Sequence, residues 1–383
     1  MGSEDRQRDQ TRVALKARCS YLHLATALLP ELFKQDDVRN AVNEFAAFID
    51  KANSSELDLR REELLRWLDM ATAMVNRRLR PLKAWEDIAA DYWQLNSQRQ
   101  ISHATGIDYG WLACRFDLRA PLGVPADLPY HARIGMSDHA GTAAIEEDFL
   151  LRDSFYLLAK LRQQLDWLQR YVAMREAGPI KDFGMASATL AHNVACFARL
   201  AVKSFYSFLE CFVNSVGEDF IVRVGGLTPS DEEYLRGKKK GSYLRLDAKI
   251  ERFPGIIRSD KKRPLVLSDP AQIREPFVSL RRITQLRDAA MHYAREKEPI
   301  WRSPQDWKEL AEFAGKTCVA CAREFWIACY PDRPLPQYLL GLDEVRHSVV
   351  AQQRLDLELA LLGQMGPSAP PSGSGGAHEG SQQ

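Results

Sequence analysis

The sequence predicts a mainly α-helical protein, on three observations. Apolar residues recur at helical spacing over most of the 383 residues. Helix start and stop signals bracket those stretches. Proline and glycine concentrate in one middle segment and again at the C-terminal end. The composition, 45% hydrophobic and 27% charged, is that of a globular chain and excludes a collagen-like, wholly disordered or disulfide-framework protein. No apolar run approaches the roughly 20 residues that cross a bilayer. Met1–Gln10 is charged and lacks the apolar segment of a secretory signal, so a cytoplasmic location without membrane contact is expected.

Residues 1–97 read as an N-terminal helical region. Helices are expected over Thr11–Leu29, stopping at Pro30, over Val38–Ile49, and over Leu57–Val75 with Ser54 and Ser55 as caps. Pro81 suits the first position of a further helix carrying Trp85 and Trp93. Residues 98–144 lose the period. Gly106, Gly110, Pro121, Gly123, Pro125, Pro129 and Gly135 break the chain into an irregular or partly β insertion, with Trp111–Leu118 as a candidate strand.

Residues 145–340 resume the helical pattern with longer elements. Asp148–Glu176 is followed by Ala186–Val216, whose broad apolar face (Val194, Phe197, Ala201, Phe205, Phe208, Phe212) is expected to end at Gly217. Thr228-Pro229 with Asp231, Glu232 and Glu233 is a helix start: cap, proline, then acids against the dipole. Short Ser242–Phe253 comes next, then a loop holding Pro254 and Pro264, a helix over Pro276–Ala294, and a helix from Ser303-Pro304 to Tyr330-Pro331. A last helix is expected over 341–362, beginning near Leu342. Residues 363–383 form a Gly/Ser/Pro-rich tail expected to be disordered.

Seven cysteines (19, 114, 196, 211, 318, 321 and 329) form no framework. Cys318, Cys321 and Cys329 share one helix face with Ala322 and Phe325, which marks them as core rather than half of a zinc site. His103, His131, Asp138 and His139 in the insertion match no zinc spacing. Neither a metal nor another cofactor is expected.

One short segment carries chemistry: Leu286-Arg287-Asp288-Ala289-Ala290-Met291-His292-Tyr293. Arginine is always charged and fork-shaped for phosphate oxygens. Histidine moves protons near neutral pH because its ordinary pKa is about 6.5. The same spacing at Arg18 and His23 lacks the polar residue after the arginine. Around Arg287 stand a long Phe- and Ala-rich helix, a basic stretch with Tyr243, Leu244 and Lys249, and the lead-in Pro276, Phe277 and Leu280. Over roughly 148–330 this ensemble resembles the HEPN superfamily, helical domains of prokaryotic RNases, toxins and defence proteins. The resemblance implies a HEPN-like bundle with Arg287 as phosphate clamp, His292 as proton-transfer group and Asp288 as an orienting residue. Five helical residues turn about 500°, which leaves Arg287 and His292 about 140° apart. The resemblance implies that a homodimer resolves this, two protomers lining one cleft. It also admits an antitoxin or nucleotidyltransferase partner.

Arg287 falls on the stripe of Leu280, Ile283, Met291 and Ala294, where an unpaired charge is costly to bury. Glu210 or Asp288 is the expected acidic partner. From Arg236 to Arg287 fifteen Lys/Arg face five Asp/Glu, a net of +10, against −9 for the rest of a chain whose total is +1. Clustered cations are what phosphate contacts need, so Lys238, Lys239, Lys240, Arg245, Lys261, Lys262, Arg263, Arg281 and Arg282 are candidates for RNA or nucleotide binding. The functional expectation is a metal-independent endoribonuclease of stress response or phage defence. Its alternatives are a catalytically silent module binding RNA, a nucleotide or a protein, and a structural helical adaptor.

Overall fold

The computed structural model describes residues 3–29, 36–97, 106–117, 128–135, 143–178, 182–291 and 302–364. It is mainly α-helical and holds two apolar clusters, one for each half of the chain.

The first cluster is built by α1 (Ser3–Leu28), α2 (Asp36–Lys51), α3 (Ser54–Leu79) and α4 (Trp85–Ser97). Leu15, Leu22, Leu68, Val75 and Ile88 are among its buried members. The cap of α3 is Asn53, not Ser54 or Ser55. Asn53 accepts from the Glu56 N–H at 3.0 Å, while the Glu56 carboxylate accepts from the Asn53 N–H at 2.8 Å. Pro81 does not open α4. It forms a bridge with Phe116, and the next residue, Leu82, donates to the Arg115 carbonyl. In the insertion β1 (Ile107–Asp108), β2 (Arg133–Ile134) and β3 (Ala143–Ala144) form a small antiparallel sheet pairing Ile107 with Ile134 and Arg133 with Ala144. The expected strand from Trp111 is instead the short helix α5 (Tyr109–Ala113), its turn followed by Arg115, which lies on the Trp111 ring at 4.0 Å and pairs with Asp91.

The second cluster surrounds an antiparallel pair, α6 (Glu146–Ala177) and α7 (Phe183–Val224), whose Ser154 and Ser204 hydroxyls meet at 2.9 Å. α7 runs through Gly217 rather than ending there. A Cβ at Gly217 would lie 2.5 Å from the Leu235 carbonyl oxygen and 2.8 Å from the Phe253 ring. This glycine therefore serves close packing inside a helix, not a helix stop. α8 (Pro229–Leu235) starts as the sequence predicts, with the Thr228 hydroxyl accepting from the Asp231 N–H at 3.1 Å.

The predicted helix over Ser242–Phe253 is divided. Ser242–Tyr243 is β5, paired with β4 (Lys238–Lys239), and α9 is Leu246–Ile257 with Pro254 inside its last turn. α10 (Phe277–Met291) and α11 (Pro304–Cys329) pack against α7, and Cys318, Cys321 and Cys329 are buried among their apolar neighbours. A 3-10 turn (Gln337–Leu342) leads to α12 (Glu344–Gln364). Its Ala351 and Leu355 join the second cluster, while Arg354 and Glu358 bind Asp153, Lys160 and Tyr156 of α6. Among the described residues no helix is long and apolar enough to cross a membrane.

The two clusters meet at a polar seam. Leu128, Tyr130 and His131 of the insertion reach α6 and α7: the Tyr130 N–H donates to Asp219 at 2.8 Å, and Arg223 donates to the Leu128 carbonyl at 2.9 Å. His131 Nε2 stands 3.2 Å from the fully buried Glu147, which also accepts from the Tyr338 hydroxyl.

Candidate functional site

The motif helix α10 forms one wall of a groove of about 500 Å³. α7 contributes Tyr206 and Glu210, the start of α9 contributes Arg245 and Asp247, and α10 contributes Arg281, Thr284, Arg287 and Asp288. Leu246, Leu267, Phe277 and Leu280 supply apolar surface. Local chemistry holds these walls in place. The Glu251 carboxylate accepts from the Leu267 and Ser268 N–H groups at 3.2 and 2.8 Å, which fastens the chain entering α10 to α9. Arg281 donates to the Leu267 carbonyl from the other side.

Arg287 is one of three arginines that line this surface. Its Nε and Nη2 donate to Asp288 Oδ1 at 3.0 and 2.6 Å, and its guanidinium carbon stands 4.2 Å from the centroid of the Tyr206 ring. The side chain keeps 31% of its surface exposed. Burial acts to lower its proton affinity, but the Asp288 hydrogen bond and the nearby acids outweigh it, so the group is held more firmly charged than usual. Tyr206 beneath it is buried, which pushes its hydroxyl above the ordinary phenol range despite the opposing charge of Arg287.

The acidic partner of Arg287 is thus Asp288, its chain neighbour. Glu210, the other candidate, faces Lys249 at 3.6 Å and acts on Arg287 only through its field. His292 lies outside the described residues, as do His103, Asp138 and His139.

The basic segment does not fold into one cationic surface. Arg245, Arg281 and Arg287 line the groove. Lys238, Lys239 and Lys240 sit on the β4–β5 hairpin, with Lys238 over the Tyr243 ring at 5.4 Å. Lys261, Lys262 and Arg263 lie beyond the far end of α9, about 18 Å along a twelve-residue helix. There Lys261 donates to the Ile256 carbonyl, Lys262 faces Asp260 at 3.8 Å, and Arg263 packs over Gly255. Arg282 points to the other side of α10, over the Phe313 ring of α11 at 5.5 Å. Sequence proximity implied a patch, but the length of α9 holds the two basic ends apart.

Groove residues such as Tyr206, Asp247 and Thr284 escape sequence reasoning, as does the role of the buried Lys249 behind Glu210. Tyr206 and Glu210 carried a usable signal, a polar pair at i and i+4 on an otherwise apolar helix. Lys249 carried none, since its burial depends on how α7 and α9 cross. Among the described residues no three His, Cys, Asp or Glu side chains come together as a metal site. No family model, curated protein or solved structure matches the chain.

Proposed function

We propose that the chain is a HEPN-like, metal-independent endoribonuclease that cleaves RNA held in the α7–α9–α10 groove. One observation carries this reading: Arg287, on the motif helix, lines the groove with its guanidinium fixed along one edge by Asp288 and its Nη1 free of any bond to a described residue. A fixed, partly exposed guanidinium is suited to a phosphate whose charge grows in the transition state. His292 is assigned the proton transfer, and the 140° between the two positions calls for a second protomer to complete the site.

The groove's charge bears on a second reading, a silent module that binds RNA or a nucleotide without cleaving it. Three arginines line it, and so do three acids: Glu210, Asp247 and Asp288. A site of balanced charge holds a polyanion less strongly than the +10 of the sequence segment suggests.

The two readings part in one assay. The nuclease cuts RNA in EDTA, and Arg287→Ala and His292→Ala each abolish cutting while the far-UV circular dichroism stays native. Mixing the two inactive variants restores activity if two protomers share a site. Retained binding without cutting in wild type establishes the silent module instead. With three groove cations and about −0.7 per phosphate on a single strand, the log–log salt slope of RNA affinity is expected near about −2. A much steeper slope would mean that the outlying lysines also bind.

A further inference from the structure

Of the three groove acids, two are already engaged. Asp288 holds Arg287 along one edge. Asp247 accepts from the Ala248 N–H at 2.9 Å and faces Arg245 at 3.7 Å. Glu210 has only its ion pair with Lys249 at 3.6 Å, which is longer than a hydrogen bond, so among the described residues it accepts none. The carboxylate is nonetheless held in position. Lys249 keeps only 6% of its side chain exposed, and its Nζ donates to the Asn214 side-chain oxygen at 3.0 Å. The chain passes so close at Gly237 that a Cβ there would lie 2.8 Å from the Lys249 Cε. A confined ammonium behind the wall thus faces a carboxylate that is 40% exposed.

Glu210 stands one helical turn from Tyr206, about 6 Å between Cβ atoms. Arg287 lies over that same ring. Among the described residues, an acceptor without a hydrogen bond and an unbonded guanidinium edge therefore stand beside one aromatic side chain. A carboxylate beside a phosphate seat repels a bare phosphodiester, unless the ligand brings a hydrogen-bond donor to it. In RNA the donor next to each 3′-phosphate is the 2′-hydroxyl, and DNA lacks it.

We propose that Glu210 accepts a hydrogen bond from a ribose 2′-hydroxyl, positioned for this by Lys249, so that the groove selects RNA over DNA. The proposal rests on the nucleic-acid reading of the groove, in either its cleaving or its silent form. Lys249 is a positioning residue that acts through Glu210.

The test measures binding in EDTA by fluorescence anisotropy, with the full chain carrying His292→Ala to suppress cleavage. The probes are a single-stranded oligoribonucleotide and the deoxy oligonucleotide of the same sequence. One hydrogen bond to a charged acceptor corresponds to about tenfold or more in affinity, so that RNA preference is expected. Glu210→Ala, added to this background, is expected to narrow the ratio to less than about threefold. Lys249→Met is expected to narrow it partly. Should Glu210→Ala lose its native melting transition, Glu210→Gln keeps the shape and is expected to weaken the preference in the same direction.

A ratio near one in the starting protein, or a ratio unchanged by either Glu210 variant, overturns the proposal. If Glu210→Ala raises both affinities equally, Glu210 acts only through its charge, and the proposal also fails. Equal loss of RNA and DNA affinity points to a base amino group as the donor and rejects the ribose assignment. If neither oligonucleotide binds at all, the nucleic-acid reading falls and takes this inference with it.

Discussion

At the scale of single residues, the groove and the core obey different constraints. Arg287 is replaceable in size but not in geometry. A lysine has no planar fork, so it cannot donate twice to Asp288 and still offer another edge to a ligand. Gly217 is replaceable in neither respect, although it sits in a regular helical stretch of α7. Gly217→Ala places a methyl group 2.5 Å from the Leu235 carbonyl, a backbone atom that moves only if α8 moves. Alanine ordinarily stabilises a helix interior relative to glycine by roughly 1 kcal/mol. Here overpacking outweighs that gain, and a net destabilisation of about 1–3 kcal/mol is expected. Urea denaturation followed by circular dichroism measures it. An unchanged or raised midpoint would show that α8 shifts freely, and that the close approach at Gly217 does not constrain the fold.

At the scale of elements, the best-read helices were those whose ends have local causes. α8 and α11 begin where the sequence places them, because Thr228-Pro229 and Ser303-Pro304 each supply a cap and a proline at the first helical position. In α11 the Ser303 hydroxyl accepts from the Asp306 N–H at 3.1 Å, and Asp306 accepts from the Ser303 N–H at 3.1 Å. Ser303→Ala is therefore expected to cost about 1 kcal/mol, read as a lowered urea midpoint with unchanged slope. A loss below a few tenths of a kcal/mol would mean that packing alone sets this helix end. Elements whose limits depend on distant partners were misread. Gly217 signals a stop only until α8 is seen lying against it. Pro81 looks like a helix start until its bridge to Phe116 appears. The candidate site divides the same way: Arg287 and Asp288 were legible because they are neighbours in sequence. The Lys249–Glu210 pair and the separation of Lys261–Arg263 from the groove follow from how α9 crosses α7, which no local pattern encodes.

At the scale of the whole molecule, a half-buried histidine, His131, and a buried one, His347, give the fold opposite responses to pH. His131 lies at the seam between the two apolar clusters, with its Nε2 facing Glu147 at 3.2 Å and its Nδ1 buried without a partner among the described residues. Burial works against its protonation. The hydrogen bond and charge of Glu147 work for it, with Asp219 and Glu218 adding to them, and the net effect is a pKa above the ordinary imidazole value. His347 of α12 lies in the second cluster, stacked on Phe155 at 5.4 Å with Nε2 3.0 Å from the Leu339 carbonyl. Burial dominates there, helped by the charges of Arg152 and Arg346 and opposed by the Leu339 hydrogen bond and Asp343, and its pKa is lowered. A group whose pKa rises on folding stabilises the native state fully below its unfolded pKa, and that contribution fades as pH climbs through the folded value. A group whose pKa falls on folding is protonated first in the unfolded chain, so stability drops as pH descends below about 6.5. His131→Gln is accordingly expected to lower the thermal midpoint most at pH 5.5–6, with the gap to wild type closing towards pH 9. His347→Gln is expected to flatten the acid-side loss, so its midpoint falls less than wild type's between pH 7 and pH 5. Calorimetric scans across that range, taken as differences from wild type, cancel the carboxylates common to all three proteins. Parallel curves for His131→Gln and wild type would mean that Glu147 does not hold a charged imidazole, and that the seam is joined by packing and by the Asp219 and Arg223 contacts alone.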